Sequence, residues 1–160
     1  MSANVFVGDH VLLDVGFAAA RHQLGRLARD GVLLSAAEYA YGVGITGLVE
    51  TVGPAAGMSR LGGVRAEETA DTPGGARLWL RWEAIDPDGV VYPALEAVLT
   101  LTPAGEATTP LVLAGVYRLP GQAEAELGPV VVHCFAAVAI RGFIARLTCA
   151  LMHPAGTALR

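Results

Sequence analysis

The sequence predicts an α+β fold in which a curved antiparallel sheet wraps around a long C-terminal helix. Three observations predict it. A strand and two helical segments come first, a run of strands divided by turns follows, and an almost wholly apolar segment from about Gly128 to Met152 comes last. At 160 residues the chain fits one domain. We therefore expect a single domain over residues 1–160, with residues 155–160 as a disordered tail.

Composition narrows the classes of function. Hydrophobic residues make up 53% of the chain and charged residues 16%, which is more apolar surface than one solvated shell needs. The excess predicts a cavity, a subunit interface or both. The formal net charge is −4, and the 11 basic residues are all Arg and scattered, whereas nucleic-acid binding requires a basic stripe. The first eight residues carry no Lys or Arg, so we expect no signal peptide and a cytoplasmic protein.

The first strand and first helix follow from local patterns. Val5 to Leu13 alternates loosely and is rich in apolar, strand-favouring residues, which predicts a strand. Asp14 is the predicted N-cap of a helix that stops at Gly31. The apolar residues of that helix recur at helical spacing: Phe17, Ala20, Leu24, Leu27 and Ala28.

A second, shorter helix is predicted directly after the first. Ser35 and Glu38 have the spacing of a capping box, so the helix should begin at Ala36. The two glycines Gly42 and Gly44 should end it. Two consecutive helices between the first strand and the remaining strands are the unusual part of this order.

From Ile45 onward the pattern changes to strands. The Pro and Gly residues between them preset the dihedral angles of tight turns, which predicts an antiparallel meander and six strands in the whole chain. The last strand, Leu111 to Leu119, is apolar on both faces, so its orientation stays open. The turn segments are Gly53-Pro54, Thr72 to Gly75, Asp86 to Gly89 and Thr102 to Gly105.

The hairpin around Asp86 to Gly89 predicts which face of the sheet is buried. If Asp86 faces Gly89, one face is apolar and pairs Leu78 with Ala97, Leu80 with Leu95 and Trp82 with Pro93. The other face then carries Trp79, Arg81, Glu83, Tyr92 and Glu96.

That second face has three interpretations. It is an outer face of cross-strand charge pairs and aromatic contacts, or a dimer patch around Trp79. If the face assignment is inverted, it is a polar cluster inside a cavity. In the inverted case Glu83 or Glu96, near Tyr92, would act as an acid or base.

The closing helix is apolar nearly all round. Pro129 suits its first turn, and Pro154 with Gly156 should end it. The side predicted to lie on the sheet carries Val132, Ala136, Ala139, Ile140, Phe143, Leu147 and Ala150. A different side carries Val131, Phe135, Val138 and Cys149, so we expect cover from the first two helices or from a homodimer partner. Arg141 and Arg146 interrupt the run, which predicts a buried helix and not a membrane span.

The chain resembles the START-like helix-grip superfamily (SRPBCC), which includes pollen-allergen-type proteins, lipid-transfer domains and polyketide cyclases or dehydrases. The resemblance rests on the segments Asp14 to Ala20, Leu78 to Glu83 and Gly115 to Pro120, and on the closing helix. It spans nearly the whole chain and rests on order and pattern. It implies a cavity for an apolar or aromatic small molecule, and no catalytic set, because members share none.

The predicted ligand cavity lies between the sheet and the closing helix. Its residues are Leu80, Trp82, Leu95, Leu99, Tyr117, Val132, Ala136, Ile140 and Phe143. We expect binding or carriage of a small apolar molecule there. The alternatives are a cyclase or dehydrase with one acid or base in the same cavity, and a structural or interaction protein whose core is filled by its own side chains.

No strong catalytic motif is present, and the sequence leaves the catalytic residues unknown. It lacks a phosphate-cradling Gly-rich loop, His-Glu-x-x-His, Cys-x-x-Cys and Gly-x-Ser-x-Gly. We therefore expect no cofactor and no metal. His133, near the cavity mouth, is a solvent-facing His or a general base, and His10, His22 and His153 are dispersed.

Tyrosines and cysteines are the remaining candidates. Tyr39, Tyr41 and Tyr117 are either hydroxyls at the cavity edge or core aromatics with one wet end. Cys134 and Cys149 lie about 22 Å apart along one helix, which is too far for a disulfide. We expect them to be small buried hydrophobic residues.

Overall fold

A computed structural model of the protein describes residues 4–52, 60–68, 75–86, 88–118 and 128–152. The predicted disordered tail lies outside these residues. Within them the predicted α+β order is confirmed, since a strand and two helices precede four strands and a closing helix. The elements are β1 Asn4–Leu13, α1 Phe17–Arg29, α2 Val32–Val52, β2 Arg60–Glu68, β3 Ala76–Ile85, β4 Val91–Leu101, β5 Thr109–Arg118 and α3 Pro129–Met152.

The five strands among these residues form one antiparallel sheet in the order β1-β5-β4-β3-β2. Along β3 the residues alternate between buried and more exposed positions, as expected for a sheet with one face on the core. α3 packs across that inner face, and α2 packs against α3. The space between the inner face and α3 is therefore the centre of the core.

The β3–β4 hairpin has a different register from the one predicted, and its faces are as predicted except near the turn. The N–H of Asp86 donates to Val90 O at 3.0 Å, so Asp86 pairs with Val90 and not with Gly89. Farther from the turn a bulge at Ala94 shifts the register a second time, because Trp82 pairs with Leu95 while Glu83 pairs with Pro93. Each shift moves the pairing by one residue, so beyond the bulge the pairing differs from the prediction by two residues, which is one full period of a strand. Beyond the second shift each side chain therefore keeps its predicted face.

Several predicted boundaries near the N-terminus are wrong. The N-cap of α1 is Gly16 and not Asp14, and no side chain caps this helix. α2 begins at Val32, so Ser35 lies inside its first turn and donates its backbone N–H to Gly31 O at 3.2 Å. The capping box does not form the start of the helix. α2 also continues to Val52, where the sequence predicted a strand.

The orientation of the last strand, which the sequence left open, is settled by burial. Leu111, Leu113 and Tyr117 of β5 are buried on the inner face, whereas Val112 and Ala114 are exposed on the outer face. β5 lies between β1 and β4. Tyr117 is thereby fixed on the same side of the sheet as α3.

The predicted sheet-facing side of α3 is confirmed. Six of its seven residues are buried, and Ala150 is partly buried against the core. On the second apolar side Phe135 is half-buried, because its ring lies against Gly47 of α2. Val131 and Val138 stay 42% and 40% exposed. α2 therefore covers part of this side, and the homodimer stays a prediction.

Within the described ranges, two helices are long and apolar enough to cross a membrane by length and composition alone, Val32–Thr51 and Val130–Met152. The core helix of a soluble protein has the same length and composition. Here both helices have buried faces, and α3 lies on the sheet through one of them. This packing favours the interpretation of α3 as a core helix.

Candidate functional site

The nine side chains predicted to line the cavity lie together between the sheet and α3, and none is more than 2% exposed. β3 supplies two, β4 two, β5 one and α3 four. Six of them are 0% exposed, so no water-sized space adjoins those six: Leu80, Trp82, Leu95, Leu99, Ala136 and Phe143. A ligand here has to displace side-chain contacts. Ligand binding by these residues stays a prediction.

Trp82 lies at the centre of this region. Its ring meets Phe143 of α3 edge-on, with the centroids 5.2 Å apart and an interplanar angle of 74°. It meets Tyr117 of β5 at 5.9 Å and 80°. The indole Nε1–H is buried and has no acceptor among the described residues. An unsatisfied buried donor costs roughly 1–3 kcal/mol.

Three tyrosines place their hydroxyl groups near one another at one end of the region. The hydroxyl oxygens of Tyr41 on α2 and Tyr92 on β4 are 3.2 Å apart, within hydrogen-bond distance. Tyr117 belongs to the same group, because its hydroxyl lies 4.0 Å from the point where a Cβ on Gly44 of α2 would stand. We call Tyr41, Tyr92 and Tyr117 the tyrosine cluster. It is a polar end to an otherwise apolar region.

Burial and proximity keep Tyr41 and Tyr117 neutral. Burial raises the pKa of Tyr41 far above its ordinary value, and the neighbouring Tyr92 raises it further. Burial likewise raises the pKa of Tyr117, with a smaller contribution from Tyr92. Both phenols therefore keep their protons at physiological pH. They can donate hydrogen bonds to a ligand but cannot act as anionic bases.

Tyr92 is the functional residue that sequence reasoning placed on the wrong face. It was predicted opposite Glu83 on the outer face, but it pairs with Ala84 on the inner face. Between the turn and the bulge only one of the two register shifts applies, so the side chains there change face. Pro93, next to the bulge, was the available signal, since Pro within a strand marks an edge or a bulge.

Tyr39 lies apart from the cluster, contrary to the prediction that grouped it with Tyr41 and Tyr117. It is 46% exposed, and the guanidinium of Arg146 stacks 3.7 Å from its ring centroid. It borders a shallow concavity of about 440 Å³ on the surface of α2, together with Glu38 and Val43. None of the nine predicted cavity residues lines that concavity.

The outer face of the sheet is a network of ion pairs. Arg81 Nη1 lies 3.2 Å from Glu96 Oε2, and Arg81 Nε lies 3.4 Å from Glu83 Oε2. Arg65 Nε of β2 lies 3.6 Å from the same Glu83 oxygen. The interpretation as cross-strand charge pairs is therefore confirmed. The inverted interpretation, with Glu83 or Glu96 as an acid or base inside the cavity, is wrong.

The histidines lie in different parts of the fold. His10 and His133 are exposed on β1 and α3, and His22 lines a concavity of about 310 Å³ on α1 with three charged side chains, Arg21, Arg29 and Glu68. His153 lies outside the described residues. Among the residues that the structure describes, no group of three His, Cys, Asp or Glu side chains could hold a metal ion.

The two cysteines are exposed on α3 and not buried as predicted. Cys134 and Cys149 are both free thiols. They share the side of the helix that faces away from the sheet. They take no part in the core region around Trp82.

Comparison with known proteins identifies the fold. No protein-family model matches the sequence, and no curated protein matches it significantly. A conserved protein from Geobacillus kaustophilus matches with a TM-score of 0.50 at 14% identity, over 93% of this chain and 95% of that one. Two more distant structures were also found. Zhui aromatase/cyclase from Streptomyces sp. R1128 has a TM-score of 0.44 at 12% identity, over 99% and 97% of the two chains. Truncated norcoclaurine synthase from Thalictrum flavum has a TM-score of 0.37 at 8% identity, over 94% of this chain and 95% of that one.

At such identities the likeness to the Geobacillus protein shows the fold alone. The element order, the antiparallel sheet and the helix laid across it agree with that likeness. The fold predicted from the sequence is confirmed: the chain has a helix-grip α+β fold, in which an antiparallel sheet packs on a long C-terminal helix.

Proposed function

We propose that the protein binds a small apolar or aromatic molecule between the sheet and α3, with the polar end of that molecule at the tyrosine cluster. The observation that carries the proposal is the cluster itself. Tyr41, Tyr92 and Tyr117 bring three hydroxyl groups to one end of a region lined by apolar side chains. Apolar binding sites commonly contain a few such polar groups, which orient the ligand.

The walls of the region suit a flat apolar ligand. Trp82 and Phe143 present aromatic ring edges, and Leu80, Leu95 and Ile140 supply aliphatic surface. Aromatic rings pack well against such edges and faces. Because these side chains now contact one another, the ligand must replace contacts between α3 and the sheet.

Native mass spectrometry of protein purified gently from its own cells tests this proposal. We expect a reproducible adduct of a few hundred daltons. Tyr92→Phe, which removes one hydroxyl of the cluster, should weaken retention of the adduct. Tyr39→Phe is the matched control, because Tyr39 is exposed on the outer side of α2, and it should retain the adduct fully.

The opposite result favours the third hypothesis from the sequence. A bare chain in every preparation, together with no uptake of added naphthalene, would contradict ligand binding. The region would then be a filled core, in agreement with the six fully buried side chains. The protein would be a structural or interaction protein.

An enzyme of the cyclase or dehydrase type is the second candidate. The position of Tyr41 and Tyr117 at the end of the apolar region carries this candidate, because a neutral phenol can donate a hydrogen bond to a carbonyl oxygen during enolisation or dehydration. Conversion of a bound molecule, lost in Tyr41→Phe while binding persists, would distinguish this enzyme from a carrier. Unchanged turnover in Tyr41→Phe would contradict it.

The cellular setting is part of the same proposal. A net charge of −4 and scattered Arg residues favour a small-molecule partner over a nucleic acid. We place the protein in the cytoplasm on the composition of its sequence, and fractionation of cells with an antibody to the protein tests that location.

A further inference from the structure

The polar groups of the core are all uncharged. Among the described residues no Asp, Glu, Arg or His is buried; besides tyrosine and tryptophan, the buried polar residues are Gln23 and Thr109. Thr109 is already satisfied, because its hydroxyl donates to Val15 O at 2.8 Å. A charged ligand in the core would therefore find no buried counter-charge. Burying an unpaired charge is strongly unfavourable.

Hydrogen-bond donors outnumber the bonds they make. The indole Nε1–H of Trp82 has no acceptor among the described residues, although Trp82 is 0% exposed. In the Tyr41–Tyr92 pair one hydroxyl donates to the other, which leaves the proton of the accepting hydroxyl for another partner. The indole can only donate. The phenol oxygens can accept as well as donate, so the donor that only an added acceptor can satisfy is the indole N–H of Trp82.

The position of the Trp82 indole indicates where the oxygen of a ligand would lie. Trp82 contacts Tyr117 by ring edges at 5.9 Å, and Tyr117 belongs to the tyrosine cluster. The indole is thus a neighbour of the tyrosine cluster through its contact with Tyr117. A single oxygen with two lone pairs can accept from more than one donor.

We propose, resting on the function proposed above, that the ligand is a neutral molecule with a carbonyl-type oxygen that accepts a hydrogen bond from Trp82 Nε1–H. Trp82 is then the residue that selects such ligands. Carboxylates are disfavoured because no buried cation faces them, and amines because no buried carboxylate does. Hydrocarbons without oxygen bind through the apolar walls alone and leave the indole unpaired.

Three probes with the same ring system test this selection by equilibrium dialysis: naphthalene, acetylnaphthalene and naphthoate. Acetylnaphthalene should bind about fivefold to tenfold more tightly than naphthalene, which corresponds to one net hydrogen bond. Naphthoate should bind at least about tenfold more weakly than the ketone. Trp82→Phe should abolish the preference for the ketone, so that acetylnaphthalene and naphthalene bind this variant with equal affinity.

Trp79→Phe is the matched control. Trp79 is the other tryptophan of the chain and lies on the outer face beside Arg81, so the variant should bind all three probes like the original protein. Equal binding of ketone and naphthalene, or tightest binding of naphthoate, would overturn the inference and leave the proposed function standing. Failure of all three probes to bind would instead overturn the proposed function.

A second measurement does not depend on the folding of Trp82→Phe. The chain has two indole N–H groups, and Trp79→Phe identifies the NMR signal of Trp82. Acetylnaphthalene should shift that signal downfield, as expected for a new hydrogen bond to oxygen, and naphthalene should not. The same shift with both probes would contradict a bond to the carbonyl.

Discussion

Raising the pH should destabilise this protein through two buried tyrosines. Burial raises the pKa values of Tyr41 and Tyr117 well above the ordinary value of 10.0. A raised pKa means that the folded state holds its protons more tightly than the unfolded state. Stability from this source is fully present below about pH 10 and is lost as the pH rises above it, because the unfolded phenols ionise first.

The magnitude follows from linkage. Each phenol that stays protonated in the folded state while it ionises in the unfolded state lowers the free energy of unfolding by about 1.4 kcal/mol per pH unit. Two such groups give about 2.7 kcal/mol per unit, and a loss of about 3 kcal/mol between about pH 8 and pH 11. That is a large part of the stability of a typical domain.

Urea unfolding followed by circular dichroism at several alkaline pH values measures this slope. The sequence suits the assay because it contains no Lys, and Arg stays protonated throughout this range. Tyr41→Phe should halve the slope, and Tyr39→Phe, a substitution at an exposed position, should leave it unchanged. A stability that stays flat above pH 10, or a slope that Tyr41→Phe does not alter, would refute the reasoning.

Three further predictions concern packing, surface charge and assembly. Gly115→Ala should destabilise the fold by about 3 kcal/mol in urea titration, because the new Cβ would overlap Glu96 O and Ala97 Cβ. Gly63→Ala, where the Cβ meets nothing within 4 Å, should be neutral or slightly stabilising, and equal losses in the two variants would contradict the steric cause. Glu96→Gln should lower the free energy of unfolding by less than about 1 kcal/mol, since Glu96 and its partner Arg81 are both partly exposed. Loss of probe binding in this variant would contradict the placement of Glu96 on the outer face. Light scattering at micromolar concentration should give the mass of two chains if the exposed valines of α3 form a subunit contact, and a single-chain mass would rule the homodimer out.

The closing helix is the part of the fold that the sequence predicts best. Its length and start follow from an almost wholly apolar run with Pro129 in the first turn, and its buried side follows from the helical period. The apolar run and the helical period are both properties of this one segment of sequence. The same holds for the alternation of β3, which assigned Leu80 and Trp82 to the inner face.

The end of the second helix was mispredicted, and two of its glycines, Gly44 and Gly47, lie against α3. Gly42 and Gly44 suggested a helix end, and each glycine in a helix costs roughly 1 kcal/mol relative to Ala. In the structure α2 runs through them and packs closely on α3. A Cβ on Gly47 would stand 2.8 Å from a ring carbon of Phe135. Close packing on α3 offsets the low helix propensity of Gly44 and Gly47, whereas a Cβ on Gly42 would meet nothing within 4 Å. No single-helix pattern contains the information about that packing.

The polar end of the candidate site depends on a feature of one strand that periodicity alone cannot place. A strict alternation along β4 places Tyr92 on the outer face with Glu96. The pairing of Asp86 with Val90 shifts the register by one residue, and the bulge at Ala94 shifts it again. Only the three residues between the two shifts change face, and Tyr92 is the middle one. The extra residue Ala94 therefore keeps Leu95, Ala97 and Leu99 on the same side of the sheet as Tyr92. The bulge in this way joins the apolar face to the tyrosine cluster.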